Sequence, residues 1–114
     1  MSWQDFERLV AECYKRQGYK VTVTSLGGAD GGIDLVLHRG RDKVLIQCKH
    51  WRTTSVGAPI IREMFGLLTH HGATRVKVVC TGHFTRDAIA FAAGKPIDLV
   101  GGGHLLAMVR SVQR

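Results

Sequence analysis

Near the start of the chain, apolar residues recur every three or four positions, which predicts an amphipathic helix over residues 3–17. Ser2 followed three residues later by Asp5 is a helix-capping pattern, and Gly18 is a residue type that commonly ends a helix. We therefore expect this helix to be well delimited at both ends. Its apolar positions are Trp3, Phe6, Leu9, Val10 and Cys13.

Three strand-like segments follow the first helix. Residues 19–25 alternate in polarity and are rich in β-branched side chains, and residues 33–38 and 43–49 are similarly strand-like. Residues 39–42 join the last two segments and are few enough for an antiparallel hairpin. Residues 26–32, with the sequence LGGADGG, predict a glycine-rich turn between the first and second segments.

The second half of the chain alternates between helical and strand-like patterns. Ser55, with Pro59 shortly after it, predicts the start of a second helix that carries a wide apolar stripe. Thr85 is placed to cap a third helix. The remaining predicted elements are strands over residues 76–81 and 97–100, a third helix through Ala88, Ile89, Phe91 and Ala92, and a closing helix over Leu105, Leu106 and Val109.

This order of elements predicts an α/β fold in which a mixed sheet is covered by helices on both faces. The 114 residues fit a single domain, residues 1–114, with no visible linker or internal repeat. With 45% hydrophobic and 22% charged residues the chain has the balance of a soluble globular protein. We find no apolar run that would cross a bilayer and no signal segment, and expect a cytoplasmic protein.

Charge and cysteine content narrow the partners and the chemistry. The formal net charge of +7 favours polyanions, with nucleic acid as the first candidate, although a well-solvated basic surface explains it equally well. Cys13, Cys48 and Cys80 are odd in number and more than thirty residues apart, which supports neither a disulfide framework nor a metal knuckle. We expect reduced cysteines in the core.

Polar residues interrupt the second and third strand-like segments. Side-chain alternation predicts that Ile33 and Leu35 lie on one face and Asp34 on the other, so that Asp34 is a carboxylate inside an apolar strand. In the next segment Gln47 and Lys49 share a face, with their Cα atoms about 7 Å apart. If the two strands pair through the hairpin, Asp34 can stand beside Gln47 and Lys49.

Such a group has the parts that hydrolysis of a phosphodiester requires, which are oxygen ligands for a hard divalent cation and a positive charge near the phosphate. Asp34 would supply a charged ligand, Gln47 a side-chain carbonyl and Cys48 its backbone carbonyl, with Mg²⁺ as the expected ion and Mn²⁺ as a substitute. From spacing alone, an ion pair between Asp34 and Lys49 at a strand end is an equally good interpretation.

The residues that follow the third strand combine positive charge with an aromatic ring. Lys49, His50, Trp51 and Arg52 could hold a DNA phosphate and stack on a base. The alternative is that Trp51 covers the edge of the sheet, and it has at least equal weight. These four residues are predicted DNA contacts.

Five ordered segments together resemble the Mrr-type restriction endonuclease catalytic domain. That family is a branch of the PD-(D/E)xK nuclease superfamily in which Gln replaces the usual acidic residue. The resemblance implies a restriction-endonuclease-like αβα sandwich and a restriction-type nuclease that cuts DNA with Mg²⁺. The segments are Phe6–Val10, Gly18–Tyr19, Asp30–Val36, Ile46–Lys49 and Thr81–Thr85.

By this resemblance, Asp34 is the family's metal-binding aspartate, Gln47 its second ligand, Lys49 its catalytic lysine and Glu7 the acidic residue of its first helix. Glu7 could equally be an exposed residue that favours the helix dipole. The chain departs from the family at residues 101–103, where three glycines replace a usual acidic residue. This departure concerns the local turn and not the active site.

The predicted function is a metal-dependent endodeoxyribonuclease that acts on double-stranded DNA. A catalytically silent DNA-binding module of the same fold is the alternative. A third hypothesis, drawn from Mrr-like proteins generally, is a nuclease module whose target recognition lies in a separate domain absent from this chain. A homodimer would be one way to cut both strands.

Overall fold

The structure of the chain, a computed structural model, describes residues 2–24, 32–49 and 55–112. Within them four helices and seven strands follow one another along the chain. In order these are α1 (Trp3–Arg16), β1 (Lys20–Val23), β2 (Leu35–Arg39), β3 (Asp42–Lys49), β4 (Ser55–Val56), α2 (Ala58–His70), β5 (Arg75–Cys80), β6 (His83–Phe84), α3 (Arg86–Ala92), β7 (Ile97–Val100) and α4 (Gly102–Val112).

Five of the strands form one mixed sheet in the order β1-β2-β3-β5-β7. β1, β2 and β3 pair antiparallel, whereas β5 and β7 run parallel to β3. The hairpin between β2 and β3 turns at Gly40, whose φ of +60° is in the left-handed region that glycine adopts without strain. The predicted mixed sheet and its antiparallel hairpin are confirmed.

The core divides into two apolar clusters, one on each face of the sheet. Phe6, Val10 and Tyr14 of α1, together with Leu105 and Met108 of α4, pack on one face. The other face is covered by α2 and α3. Because helices cover both faces, the molecule is the three-layer αβα sandwich that the sequence predicts. The α2 and α3 residues buried on the second face are Ala58, Ile61, Met64, Ala88 and Ala92.

Helix ends form where the sequence predicts them in two cases. Ser2 and Asp5 make a reciprocal capping box at the start of α1, and Gly18 follows its last turn with a φ of +95°. The Thr85 side chain accepts a hydrogen bond from the Ala88 N–H at 3.1 Å and so caps α3. These caps fix where the helices begin relative to the sheet.

The predicted start of α2 at Ser55 is wrong. Ser55 belongs to the short strand β4, which pairs parallel with β6 in a second, two-stranded sheet, and α2 begins only after Gly57. Strands of two residues have no periodicity from which a sequence could predict them. Pro59 does lie in the first turn of α2, because its missing N–H is not needed there.

The predicted face of Ile33 is also wrong. Regular pairing of β2 begins at Leu35, and Ile33 packs into the α2 and α3 cluster with Leu45, not into the α1 cluster with Leu35. Strand alternation therefore does not extend back across Asp34. The backbone irregularity at this point decides where the Asp34 carboxyl group lies.

Gly102, one of the three glycines at residues 101–103, allows a close backbone approach. A Cβ at Gly102 would lie 2.5 Å from the Thr81 carbonyl oxygen, and the Gly102 N–H donates to the Gly82 carbonyl at 3.0 Å. Glycine at the start of α4 thus lets this helix pack directly against the residues that follow β5.

None of the helices in the described part of the chain has the length and apolar character needed to span a bilayer.

Candidate active site

A carboxyl group of the first helix faces a second carboxyl group that lies just before β2. Glu7 lies in the second turn of α1 and Asp34 immediately before β2, and the two residues are only 4% and 7% exposed. Their side chains form a hydrogen bond, which requires a proton on one of the two carboxyl groups. Glu7 therefore points into the molecule, and the exposed position that the sequence left open is not the one observed.

Main-chain hydrogen bonds hold Asp34 on both sides. The Cys48 N–H donates to Asp34 Oδ2 at 2.7 Å, the Asp34 N–H donates to the Ile46 carbonyl at 2.8 Å, and the Thr24 N–H donates to the Asp34 carbonyl at 2.8 Å. Regular pairing of β2 with β3 ends at Leu35, so the carboxylate takes the place of a backbone acceptor for the Cys48 amide. The Asp34 side chain is thereby fixed in one orientation.

Burial, with a smaller contribution from the neighbouring Glu7, raises the pKa of the Asp34 carboxyl group from its ordinary value of 3.8 to about 7. The hydrogen bond from the Cys48 backbone and the positive charge of Lys49 act in the opposite direction but are outweighed. In the protein without bound ions, Asp34 therefore retains its proton to a much higher pH than an ordinary aspartate does.

Gln47 is a further buried polar residue, on the strand whose backbone binds Asp34. It is 9% exposed, and its Oε1 atom has no hydrogen-bond partner among the residues that the structure describes. In the chain Gln47 stands between Ile46 and Cys48, the two β3 residues whose backbone groups bind Asp34. A buried acceptor without a partner is costly, and it calls for a ligand that the protein itself does not supply.

Lys49 is the last residue of β3 and is partly exposed. No salt bridge joins it to Asp34, so the direct ion pair that spacing left open is absent. Its charge still acts on Asp34, whose pKa it lowers. The Lys49 ammonium group is thus near enough to the carboxyl pair to influence it without being tied to it by a salt bridge.

A cavity of about 190 Å³ opens beside Glu7 and is lined by Gln4, Glu7, Arg8 and Val23. It lies between the first turns of α1 and the end of β1. Glu7 is therefore buried but borders a space that solvent or a substrate can enter. Arg8 contributes a positive charge to the rim, where it pairs with Asp5 at 3.5 Å.

The side chains that could bind a hard divalent cation here are two carboxylates and one neutral amide, those of Glu7, Asp34 and Gln47. Within residues 2–24, 32–49 and 55–112 no three His, Cys, Asp or Glu side chains are grouped to hold a metal. Two carboxylates with an unpartnered amide oxygen, however, are the oxygen ligands that Mg²⁺ and Mn²⁺ accept. The three cysteines are free and buried, as predicted.

Several predicted residues lie outside the part of the chain that the structure describes. These are His50, Trp51 and Arg52, proposed as DNA contacts, and Asp30 in the glycine-rich turn. The role of Cys48 as a carbonyl ligand stays a prediction, whereas its N–H as the partner of Asp34 is a contact that sequence reasoning missed. The close approach of Gln47 to Gly32, where an added Cβ atom would lie 3.3 Å from Gln47 Cδ, was missed as well.

The chain is similar to known restriction endonucleases. The family model described as restriction endonuclease, Mrr_cat, matches residues 1–109. The type IV methyl-directed restriction enzyme EcoKMrr of Escherichia coli strain K12 is 34% identical over 112 residues, covering 91% of this chain and 36% of that protein. The chain thus spans about a third of the length of this relative.

Solved structures of two restriction endonucleases have the same architecture. The MspJI restriction endonuclease, in complex with a 27-mer oligonucleotide, matches 94% of this chain and 27% of its own with a TM-score of 0.65 and 28% identity. The DNA modification-dependent restriction endonuclease AspBHI matches 96% of this chain and 31% of its own with a TM-score of 0.69, and at 18% identity it supports the fold alone. This chain belongs to the restriction endonuclease family, as a domain of the Mrr catalytic type with the restriction-endonuclease-like fold.

Proposed function

We propose that this domain is an endodeoxyribonuclease that depends on a divalent cation, Mg²⁺ or in its place Mn²⁺, and hydrolyses phosphodiester bonds of double-stranded DNA. The observation that carries the proposal is the pair of buried carboxyl groups of Glu7 and Asp34, held next to the β3 segment that bears Gln47 and Lys49. In a chain of the restriction endonuclease family, this group is the natural candidate for the catalytic centre.

The residues present fit such an ion. Asp34, Glu7 and the Gln47 Oε1 atom would hold it, with the Cys48 backbone carbonyl as a further candidate ligand. The fit rests on two features that the ion-free protein leaves unbalanced: burial and like charge raise the pKa of Asp34, and Gln47 Oε1 has no described partner. A cation would offset the repulsion between the carboxylates and give the amide oxygen a ligand role.

When bound, the cation would polarise the phosphoryl group and make water a better nucleophile. The protein's own residues act around that chemistry. The Cys48 N–H holds Asp34 in one orientation, and α1 holds Glu7 opposite it, so that little reorganisation is needed when substrate arrives. Lys49 would place its ammonium group where negative charge develops on the phosphate, since no salt bridge with a described residue occupies it.

The substrate and its selection follow from charge and size. A net charge of +7 favours binding to the DNA backbone without sequence preference. We propose that the choice of target lies in another domain of a longer protein, since the chain corresponds to about a third of EcoKMrr. Each catalytic centre cuts one strand, so a break in both strands would need two copies or two successive cuts.

The proposal is tested by incubating purified protein with supercoiled plasmid, with EDTA, Mg²⁺ or Mn²⁺, alongside the Asp34→Asn variant. We expect cleavage only with a divalent cation and only with the wild type. If folded wild-type protein saturated with either ion cut modified or unmodified DNA no faster than Asp34→Asn, the domain would be a silent DNA-binding module instead.

A further inference from the structure

We propose that Gly32 is a positioning residue whose missing side chain leaves room for the Gln47 amide in the orientation that the candidate metal site needs. Gly32 lies two residues before Asp34, at the end of the glycine-rich segment, and has a φ of +93°. Nothing in the resemblance to the family or in the comparisons assigns it a role. The part of this proposal that concerns metal rests on the proposed function.

The space beside Gly32 is occupied by the far end of Gln47. A Cβ atom added at Gly32 would overlap Gln47 Nε2 and would lie 3.3 Å from Gln47 Cδ. Because Nε2 is the far end of a flexible side chain, the Gln47 amide and not the backbone would give way. A methyl group at position 32 would therefore rotate or displace the whole amide, including the Oε1 atom that has no partner among the described residues.

The effects of the positive φ and of the clash with Gln47 can be separated, because Gly18 has a similar φ and no close contact. Gly18 has a φ of +95°, almost that of Gly32, but the nearest atom to a Cβ there is Arg39 Cδ at an ordinary 3.8 Å. Gly18→Ala therefore imposes the same kind of backbone strain far from the candidate site. Any effect of Gly32→Ala beyond that of Gly18→Ala reports the contact with Gln47.

The first measurement needs no metal. In ¹H–¹⁵N NMR spectra of the metal-free protein, the side-chain amide pair of Gln47 is assigned by its loss in Gln47→Ala. We expect that pair to shift or broaden in Gly32→Ala and to stay in place in Gly18→Ala. An unchanged Gln47 amide in folded Gly32→Ala would overturn the proposal, whether or not the domain is a nuclease.

The second measurement is Mn²⁺ binding by titration calorimetry. Displacement of a ligand through its neighbour typically costs about 10- to 100-fold in metal affinity. We expect a loss of at least about tenfold for Gly32→Ala, little change for Gly18→Ala, and no further loss when Gly32→Ala is added to Gln47→Ala. Equal affinities for the two alanine variants would contradict the positioning role. If the wild type bound no Mn²⁺, the proposed function would fail, while the NMR result would still decide the role of Gly32.

The case in which Gly32→Ala does not fold is also informative. Shortening the neighbour removes the clash, so the double variant Gly32→Ala with Gln47→Ala should recover a melting temperature close to that of Gly18→Ala combined with Gln47→Ala. If the first pair remained unfolded while the second folded, the barrier at position 32 would not be the Gln47 amide, and the proposal would be refuted.

Discussion

Replacing Asp34 with Asn should make the metal-free protein more stable, although it removes the residue on which activity is expected to depend most. The Asn side chain can still accept from the Cys48 N–H and can donate to Glu7, so both observed contacts are retained in a neutral form. What is removed is a buried negative charge next to a second carboxyl group. The substitution therefore isolates the energetic penalty of that charge.

The size of the effect follows from the pKa. A rise in the pKa of Asp34 from 3.8 to about 7 corresponds to at most about 4 kcal/mol of destabilisation when the group is ionised. Solvent screening and relaxation of the surroundings reduce this upper figure, so we expect about 1–2 kcal/mol. For a domain of this size that is a rise in melting temperature of roughly 4–8 °C.

The sign of the pH dependence is fixed by the same shift. The folded protein retains the Asp34 proton to higher pH than the unfolded chain does, so the penalty from Asp34 is absent below pH 4 and grows as the pH rises towards 7. The advantage of Asp34→Asn should accordingly be near zero at pH 4 and complete at pH 8. Asp42→Asn, an exposed position at the start of β3, serves as a control that makes the same charge change.

Chemical unfolding in urea with EDTA present, at pH 4, 6 and 8, measures these differences. Saturating Mn²⁺ should then raise the stability of the wild type and leave Asp34→Asn nearly unchanged, because only the charged group binds the ion well. A variant less stable than the wild type at pH 8, or a difference that does not vary with pH, would show that Asp34 is not a penalised charge, and our reasoning about the carboxyl pair would fail.

The remaining predictions concern activity. Cleavage at a fixed, sub-saturating Mg²⁺ concentration should increase between pH 6 and 8, since the ion must displace the proton held by Asp34, and a flat profile would contradict this. Lys49→Ala should abolish cleavage with the fold intact by circular dichroism, whereas Lys15→Ala on the exposed side of α1 should not. Gln47→Glu should bind the ion more tightly and stay active, measured as the Mn²⁺ concentration at half-maximal rate. The domain should nick supercoiled plasmid before linearising it, so a linear product without a nicked precursor at monomer concentrations would exclude single-strand cutting.

Periodicity predicted most of the fold because most elements bury a regular face. Residues 97–100 form a strand as predicted, since a short apolar run between turns has few alternatives in a mixed sheet. The sequence failed at Ser55 and at Ile33, where structure is decided by contacts between segments distant in the chain. Ser55 pairs with His83, and Ile33 takes its face from the irregular backbone around Asp34, so neither follows from its neighbours.

The residues proposed for the candidate site stand out in the sequence, whereas their contacts do not. Asp34, Gln47 and Lys49 stand out as polar positions in apolar strands, and the family resemblance added Glu7. The hydrogen bond between Glu7 and Asp34 joins residues 27 positions apart, and no local pattern encodes it. That contact and the hydrogen bond from the Cys48 N–H hold two buried carboxyl groups close together. A bound cation would offset the repulsion between them.

The bond from the Cys48 amide to Asp34 has an evolutionary consequence. Because the carboxylate completes the backbone hydrogen bonding of the sheet, an apolar residue at position 34 would leave a buried N–H without an acceptor, at a cost of about 1–3 kcal/mol. Lys49 carries no comparable structural duty among the described residues. In relatives that have lost DNA cleavage but kept this fold, substitutions of Lys49 should therefore be tolerated. At position 34 such relatives should keep Asp or replace it with Asn.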